Sequence, residues 1–363
     1  MDITKIDSNF KIPSIPQDVD IQWHDLSEKE FSVYGVNYDK SLDCYVRMPK
    51  EIADEVSAGV SYLNTLTSGG RIRFMSDSPY IGIQQVGTMV RPMRHMTVCG
   101  SHCFSVYMNG RFIKSLAPDV YPDVIFNCVE AEAPSFLFEQ HTGINDNSMK
   151  LFELYFPLYG GVRSVKIGLK SNAKILPAPA YKIKTPVVFY GNSITQGGCA
   201  CQSGNSYPAQ LSRRLDFDFI NLGFSGNGKA EPIMCEYLSS LEASAFVIDY
   251  DHNAPDAEYL RNTHYPLYET IRKKHKTTPI LFLTKPDWFF TPDDAERRKE
   301  IIYATYKKAK KNGDNNVWFV DGKELFGNEH IDACTVDGCH PNDLGFFRIT
   351  ERIEPVLKEM LAK

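Results

Sequence analysis

Two short stretches carry residues suited to nucleophilic catalysis. Asp337-Gly-Cys-His340-Pro sets a carboxylate three residues before an imidazole, and Tyr190-Gly-Asn-Ser193 sets a hydroxyl in a polar turn after an apolar run. A serine hydroxyl is a weak nucleophile until a neighbouring base accepts its proton. The base in turn needs a partner that fixes its tautomer and stabilises the imidazolium. Ser193, His340 and Asp337 have the types for these three tasks. The tetrahedral oxyanion also needs donors: Ser193 and Gly226 can offer backbone N–H groups, and Asn253 its side-chain amide. The chemistry would be acyl transfer from an ester to serine and then to water, with no metal or organic cofactor required.

Each residue has a plainer reading on its own. Ser193 could cap the helix after its strand, Gly226 could serve a tight turn, and His340 and Asn253 could be surface or capping residues. The five together favour the hydrolytic reading. Asn192, His252 and Trp288 are further candidates for substrate contact, Trp288 as a flat apolar face for a sugar ring or as a packing residue. His252 with Asp249 and Asp251 could suggest a second base or a metal site, but three adjacent loop residues cannot all face one cation. His330, Cys334, Cys339 and His340 have zinc-ligand types in a spacing that fits no usual zinc pattern.

These residues need a scaffold that brings them together, and the second half supplies one. Apolar runs at Val187–Tyr190, Phe219–Gly223, Ala245–Tyr250, Pro279–Thr284 and Val317–Val320 alternate with helical patterns at Ser206–Leu215, Glu231–Leu241, Asp256–His275, Asp293–Lys311 and Asp343–Ala362. Short unbroken strands between helices predict a parallel sheet covered on both faces, a three-layer α/β/α domain of flavodoxin-like order. In such sheets ligands bind outside the carboxyl ends of the strands, where the candidate residues fall. The first half reads as an antiparallel β-sandwich, jelly-roll-like. Its short runs include Cys44–Met48, Arg71–Met75, Tyr80–Ile83, Phe104–Met108, Ser135–Phe138, Leu151–Phe156 and Val162–Leu169. Asn109-Gly110 marks a hairpin, and a short helix is expected near Pro49–Val56. The aromatic-rich tract Phe136–Gly161 reads as core rather than glycan platform. The expected division is an extension over 1–20, the sandwich over 21–175, a proline-rich connection over 176–186 and the α/β domain over 187–363.

The second half resembles the SGNH hydrolase superfamily, the GDSL-type esterases and lipases. Tyr190-Gly-Asn-Ser-Ile-Thr195 resembles the first block of that family, Asn221-Leu-Gly-Phe-Ser-Gly226 the second, Asn253 the asparagine of the third, and Asp337-Gly-Cys-His-Pro341 the fifth. The resemblance implies Ser193 as nucleophile, His340 and Asp337 as the rest of a triad, and Ser193, Gly226 and Asn253 as the oxyanion hole. A β domain in front resembles bacterial carbohydrate acetylesterases, which implies a small acylated substrate, an acetylated glycan. Two positions depart from the pattern: Asn192 stands where Asp is usual, and Asp251-His-Asn-Ala254 where Gly-x-Asn-Asp is usual.

Composition narrows the alternatives. Net charge is −5 over 363 residues and neither half is basic, which argues against a phosphate-driven nucleic-acid role. No apolar run reaches the ~18 residues of a membrane span. The start, MDITKIDSNFKIPSIP, has no apolar leader segment, so a cytoplasmic location is expected unless a leader preceded it. The nine cysteines form no CxxC pair, and most of them read as buried thiols. The rival readings are a lipase, thioesterase or acyltransferase with the same site, a non-catalytic glycan-binding protein, and an FMN protein. The last lacks a Ser/Thr-rich phosphate loop after its first strand.

Overall fold

The structure, a computed structural model, describes residues 5–7, 20–88, 93–116, 130–133 and 148–362. The run Ser135–Phe138 lies outside them. In chain order the first half has strands β1 (Ile21–Asp25), β2 (Ser32–Tyr34), β3 (Asn37–Asp39) and β4 (Cys44–Val46), then helices α1 (Lys50–Val56) and α2 (Ala58–Asn64). Strands β5 (Arg71–Ser76) and β6 (Gly82–Thr88) follow, then the short helix α3 (Val98–Ser101) and strands β7 (Phe104–Met108) to β8 (Arg111–Leu116), joined at Asn109-Gly110. Strands β9 (Glu130–Ala133), β10 (Lys150–Tyr155), β11 (Ser164–Lys170) and β12 (Ile175–Pro177) complete this half.

Among the described residues, these strands form two larger antiparallel sheets, one ordered β1-β11-β6-β9 and the other β12-β5-β10-β7-β8 with β2 on β5. Alternation along the strands gives each sheet an apolar face. Phe74, Phe104, Phe152 and Leu154 from one sheet meet Ile83, Val165, Ile167 and Leu169 from the other in a single buried cluster, which makes this half a sandwich.

The second half begins with β13 (Ile183–Gly191), followed by α4 (Ser193–Gln196), α5 (Tyr207–Leu215), β14 (Phe217–Gly223) and α6 (Pro232–Ser240). Then come β15 (Ala245–Asp249), α7 (Ala257–Lys274), β16 (Ile280–Leu283), α8 (Pro292–Lys311), β17 (Val317–Val320) and α9 (Asp343–Leu361). The five strands pair in parallel in the order β14-β13-β15-β16-β17, the flavodoxin-like order expected. Strands β15 and β16 are buried at every position because helices cover both faces. Helix α9 turns Phe346, Ile349, Ile353, Leu357 and Met360 inward at helical spacing.

The two halves interlock through buried polar groups. The fully buried Arg71 donates from Nη1 to the carbonyl of Phe219 at 3.0 Å, pairs with Asp218 and lies over the Phe219 ring. Arg47, also buried, donates to the carbonyls of Leu63 and Gly223 and stacks 4.4 Å from the Phe224 ring centroid. A buried guanidinium is costly unless its donors are satisfied, and these carbonyls take the terminal N–H groups of Arg47, whose Nε has no partner. Ser105 and Ser203 exchange backbone-to-hydroxyl bonds of 3.1 and 2.9 Å across the same boundary. The segment read as a connection is itself structured. Ile175–Pro177 pairs with β5, Tyr181 is buried between Arg71 and Arg73, and β13 already starts at Ile183.

Candidate active site

Strand β13 ends at Gly191 and the chain turns at once into α4, with Asn192 as its cap. The Asn192 side-chain oxygen accepts from the N–H groups of Ile194 at 2.7 Å and Thr195 at 3.4 Å. Its amide donates to the carbonyl of Asp249 at 2.9 Å, on the neighbouring strand β15. An aspartate could make the cap but not that donation, and it would face the Asp249 carboxylate, which Thr195 Oγ1 reaches at 2.9 Å. This accounts for the amide at position 192. Burial, with Asp251 nearby, pushes the Asp249 carboxyl well up, against the hydrogen bonds from Thr195, Asn192 and Tyr207. Asn192 is fully buried, so the expectation that it touches substrate is corrected: it holds the turn that presents Ser193.

Ser193 Oγ lies 2.9 Å from His340 Nε2, and His340 Nδ1 lies 2.7 Å from Asp337 Oδ2. The loop bearing Asp337 and His340 is tied on itself. The other Asp337 oxygen accepts from the backbone N–H groups of Cys339 at 3.0 Å and His340 at 2.7 Å, and Val336 donates to the His340 carbonyl at 3.0 Å. Burial would raise the Asp337 carboxyl, but these bonds and the His340 ring outweigh it and bring the group down to about 2. An ionised carboxylate only accepts, so Nδ1 carries the proton and Nε2 is left to accept from the Ser193 hydroxyl.

Gly226 sits in a turn closed by Asn227 and Gly228 N–H bonds to the Phe224 carbonyl. Its φ of +69° is one a side chain rarely adopts. Asn253, at the end of a single 3₁₀ turn after β15, donates from Nδ2 to the same Phe224 carbonyl at 3.0 Å. That leaves its second N–H to project elsewhere.

Among the hydrogen bonds of the described residues, the remaining candidates do not join this series. His252 is nearly buried and its Nε2 is 2.7 Å from Asp287 Oδ1. Burial, then the charges of Lys285, His340 and Arg298, push the ring down to about 3. A neutral ring already donating to Asp287 is not a second base for Ser193. The Trp288 ring is half-buried and meets Phe289 and the Lys323 ammonium, so the structure joins it to the loop after β17 and not to Ser193 and His340. Asp251 accepts from the Lys285 N–H at 3.0 Å and is raised to about 6 by burial.

Among the described residues, two groups have metal-ligand types within 4.8 Å of one another: His95, Cys199 and His340, and His252, Asp287 and Cys339. In the first, both His340 ring nitrogens are engaged by Asp337 and Ser193, so a metal would have to displace the serine. In the second, the His252 nitrogen nearest the carboxylate is engaged with it. Neither group contains His330 or Cys334. The eight described cysteines are free.

Sequence reasoning missed three contributors. Gln196 takes the Ser225 N–H on its side-chain oxygen at 3.0 Å and donates to the Leu158 carbonyl at 3.2 Å, bracing the Gly226 turn against the first half. Tyr159 donates to the Ser193 carbonyl at 3.4 Å. The His95 ring centroid lies 5.1 Å from that of His340. Gln196 could have been noticed as a polar residue one helical turn after Ser193. Tyr159 and His95 carry no local signal.

Comparison with known proteins matches each half to a family model. Residues 184–358 match the model of the GDSL-like lipase/acylhydrolase family, and residues 21–175 match that of the N-terminus of SGNH-hydrolase-type esterases. Among solved structures, a GDSL-like lipase candidate from Bacteroides ovatus ATCC 8483 is 28% identical with a TM-score of 0.79, covering 94% of this chain and 98% of that one. A salicylyl-acyltransferase from a tetracycline biosynthetic pathway is 18% identical with a TM-score of 0.73, over 94% and 99%. An acetyl xylan esterase from the rumen bacterium Butyrivibrio proteoclasticus is 14% identical with a TM-score of 0.56, over 94% and 99%. The last two identities speak for the fold alone. No curated protein matches the chain.

Proposed function

The chain belongs to the GDSL-like lipase/acylhydrolase family and is a serine hydrolase, and on that premise we propose that it cleaves carboxylic esters of carbohydrates through Ser193, His340 and Asp337. The observation that carries this reading is the unbroken series Asp337–His340–Ser193 at 2.7 and 2.9 Å.

Ser193 Oγ attacks the ester carbonyl as His340 Nε2 takes its proton, and Asp337 stabilises the imidazolium. The oxyanion rests on the N–H groups of Ser193 and Gly226 and on the free N–H of Asn253. His340 protonates the departing alkoxide, leaving an acyl-serine. Water, deprotonated by the same ring, attacks that ester, and the acid leaves as Ser193 regains its proton. The carbohydrate alcohol rests on the two-part architecture shared with the acetyl xylan esterase.

The test compares wild type with Ser193→Ala on p-nitrophenyl acetate and acetylated xylan, with fluorophosphonate labelling of the intact protein. Ser193-dependent release of acetate and one label on Ser193 are expected. Equal rates in the two proteins, or labelling that survives Ser193→Ala, would refute the reading.

A further inference from the structure

Beside the turn that carries Gly226 lies a cavity of about 340 Å³. Leu63, Leu66, Met93 and Met96 form the apolar part of its wall, which Tyr159 and several polar residues complete, among them Ser225 and Asn227. The last two residues flank Gly226, and Tyr159 reaches the Ser193 carbonyl at 3.4 Å. Met96 reaches the chain just after the nucleophile, its Cε 3.4 Å from where a Cβ on Gly198 would stand. The cavity therefore lies against the oxyanion turn, two of its wall residues, Tyr159 and Met96, reach the chain around Ser193, and the first half supplies its apolar side through α2 and the approach to α3.

From this placement we infer that the cavity is the acyl subsite and that it takes an aliphatic acyl group of medium length, larger than acetyl. The inference rests on the proposal that Ser193 is acylated. The alcohol half of the ester must leave next to His340 Nε2, and His340 is not part of this wall. The acyl substituent points away from the leaving oxygen and has the oxyanion turn at its side, as the cavity does. A sugar ring would need hydrogen-bonding partners around it. The wall does hold Ser101 and His102, but these bond to each other at 2.7 Å; two leucines and two thioethers leave a mainly apolar surface, and methionine adapts its shape to a flexible chain. The volume lies in the ordinary range of small-molecule pockets, roughly 300–1,000 Å³, far beyond what an acetyl methyl fills.

The experiment uses the full chain and p-nitrophenyl acetate, butyrate and octanoate, with wild type, Met96→Trp to fill the cavity, and Met93→Trp as a second filling variant at a more exposed position. Octanoate binding to Ser193→Ala by calorimetry is read in parallel. Wild type is expected to favour octanoyl over acetyl by about tenfold or more in kcat/KM. Each filling variant should lower that ratio about tenfold, and Met96→Trp should weaken octanoate binding similarly. Ser193-dependent hydrolysis whose octanoyl-to-acetyl ratio neither variant moves overturns the cavity assignment and leaves the esterase reading standing. Hydrolysis of no ester, acetyl included, overturns the esterase reading. The calorimetry then judges the cavity by itself, and octanoate binding that is absent or indifferent to Met96→Trp overturns it.

Discussion

Asp337→Asn is the sharpest perturbation of the proposed mechanism, because the carboxylate accepts three bonds of fixed direction. One oxygen takes His340 Nδ1 at 2.7 Å, and the other takes the N–H groups of His340 and Cys339 at 2.7 and 3.0 Å. An amide has one acceptor oxygen. Turned toward Nδ1, that oxygen leaves the NH2 group facing two backbone donors, forfeiting two bonds of about 1.5–3 kcal/mol each. The favoured orientation keeps those two and points NH2 at Nδ1. The imidazole must then carry its proton on Nε2, where it faces Ser193 Oγ as a donor and cannot act as base. Recovering the active tautomer costs roughly 3–6 kcal/mol by that count, and the imidazolium also loses its counter-charge. We expect kcat to fall about 1,000- to 10,000-fold, with little change in Tm because Asp337 is a third exposed. Acidification to pH 5 will not mimic the substitution. The carboxyl sits at about 2 when folded against 3.8 ordinarily, so its contribution is complete above about pH 4 and fades only as pH falls toward 2. The assay is steady-state hydrolysis of p-nitrophenyl acetate with a melting curve of the same sample. A folded Asp337→Asn protein within tenfold of wild-type kcat would refute the tautomer argument.

Two further outcomes follow from the same geometry. Asn253→Ala should lower kcat by about 100- to 1,000-fold with KM little changed, since an oxyanion donor acts only as charge develops; a loss below tenfold would remove Asn253 from the oxyanion hole. His264, stacked on Tyr250 and 2.9 Å from Thr305 Oγ1, is pushed down to about 3 by burial against an ordinary 6.5. The unfolded chain therefore binds the extra proton between those values, and this residue makes stability fall as pH drops below 6.5. In His264→Phe, the Tm difference from wild type should move in the variant's favour between pH 7.5 and 4.5, and a difference independent of pH would contradict the assignment.

The α/β scaffold was legible because its signals are local. Unbroken runs such as Ala245–Ile248 and Ile280–Leu283 are apolar throughout since both sheet faces are covered, and strand ends then locate Ser193, Gly226 and Asn253 without further information. The Asp337-to-His340 spacing was legible for the same reason, because a short loop brings the two side chains together. What the chain did not show locally was pairing between distant segments. His252 and Trp288 follow strand ends as the candidate residues do, yet Asp287 takes the first and the loop after β17 takes the second. Residues 175–177 lack alternation over any useful length, so the strand that pairs with β5 was invisible behind its prolines.

Buried arginines show why the first half matters to the site. Arg47 stands in the apolar stretch Cys44–Met48, where a charge would ordinarily turn to solvent. It is buried instead because its donors meet carbonyls at Gly223, on the strand leading to the Gly226 turn, and at Leu63, in the wall of the cavity. Burial, partly offset by Tyr159, lowers it to about 9, still charged at neutral pH. Ser68 donates to the Gln196 carbonyl at 2.5 Å, and Gln196 holds Ser225. Removing any of these donors would leave a buried acceptor unpaired, at about 1–3 kcal/mol each, and would do so directly beneath the loops that carry Ser193 and Gly226. The β-rich half is therefore a structural part of the proposed site: its polar groups hold the turns that carry Ser193 and Gly226, and its apolar groups line the space beside them.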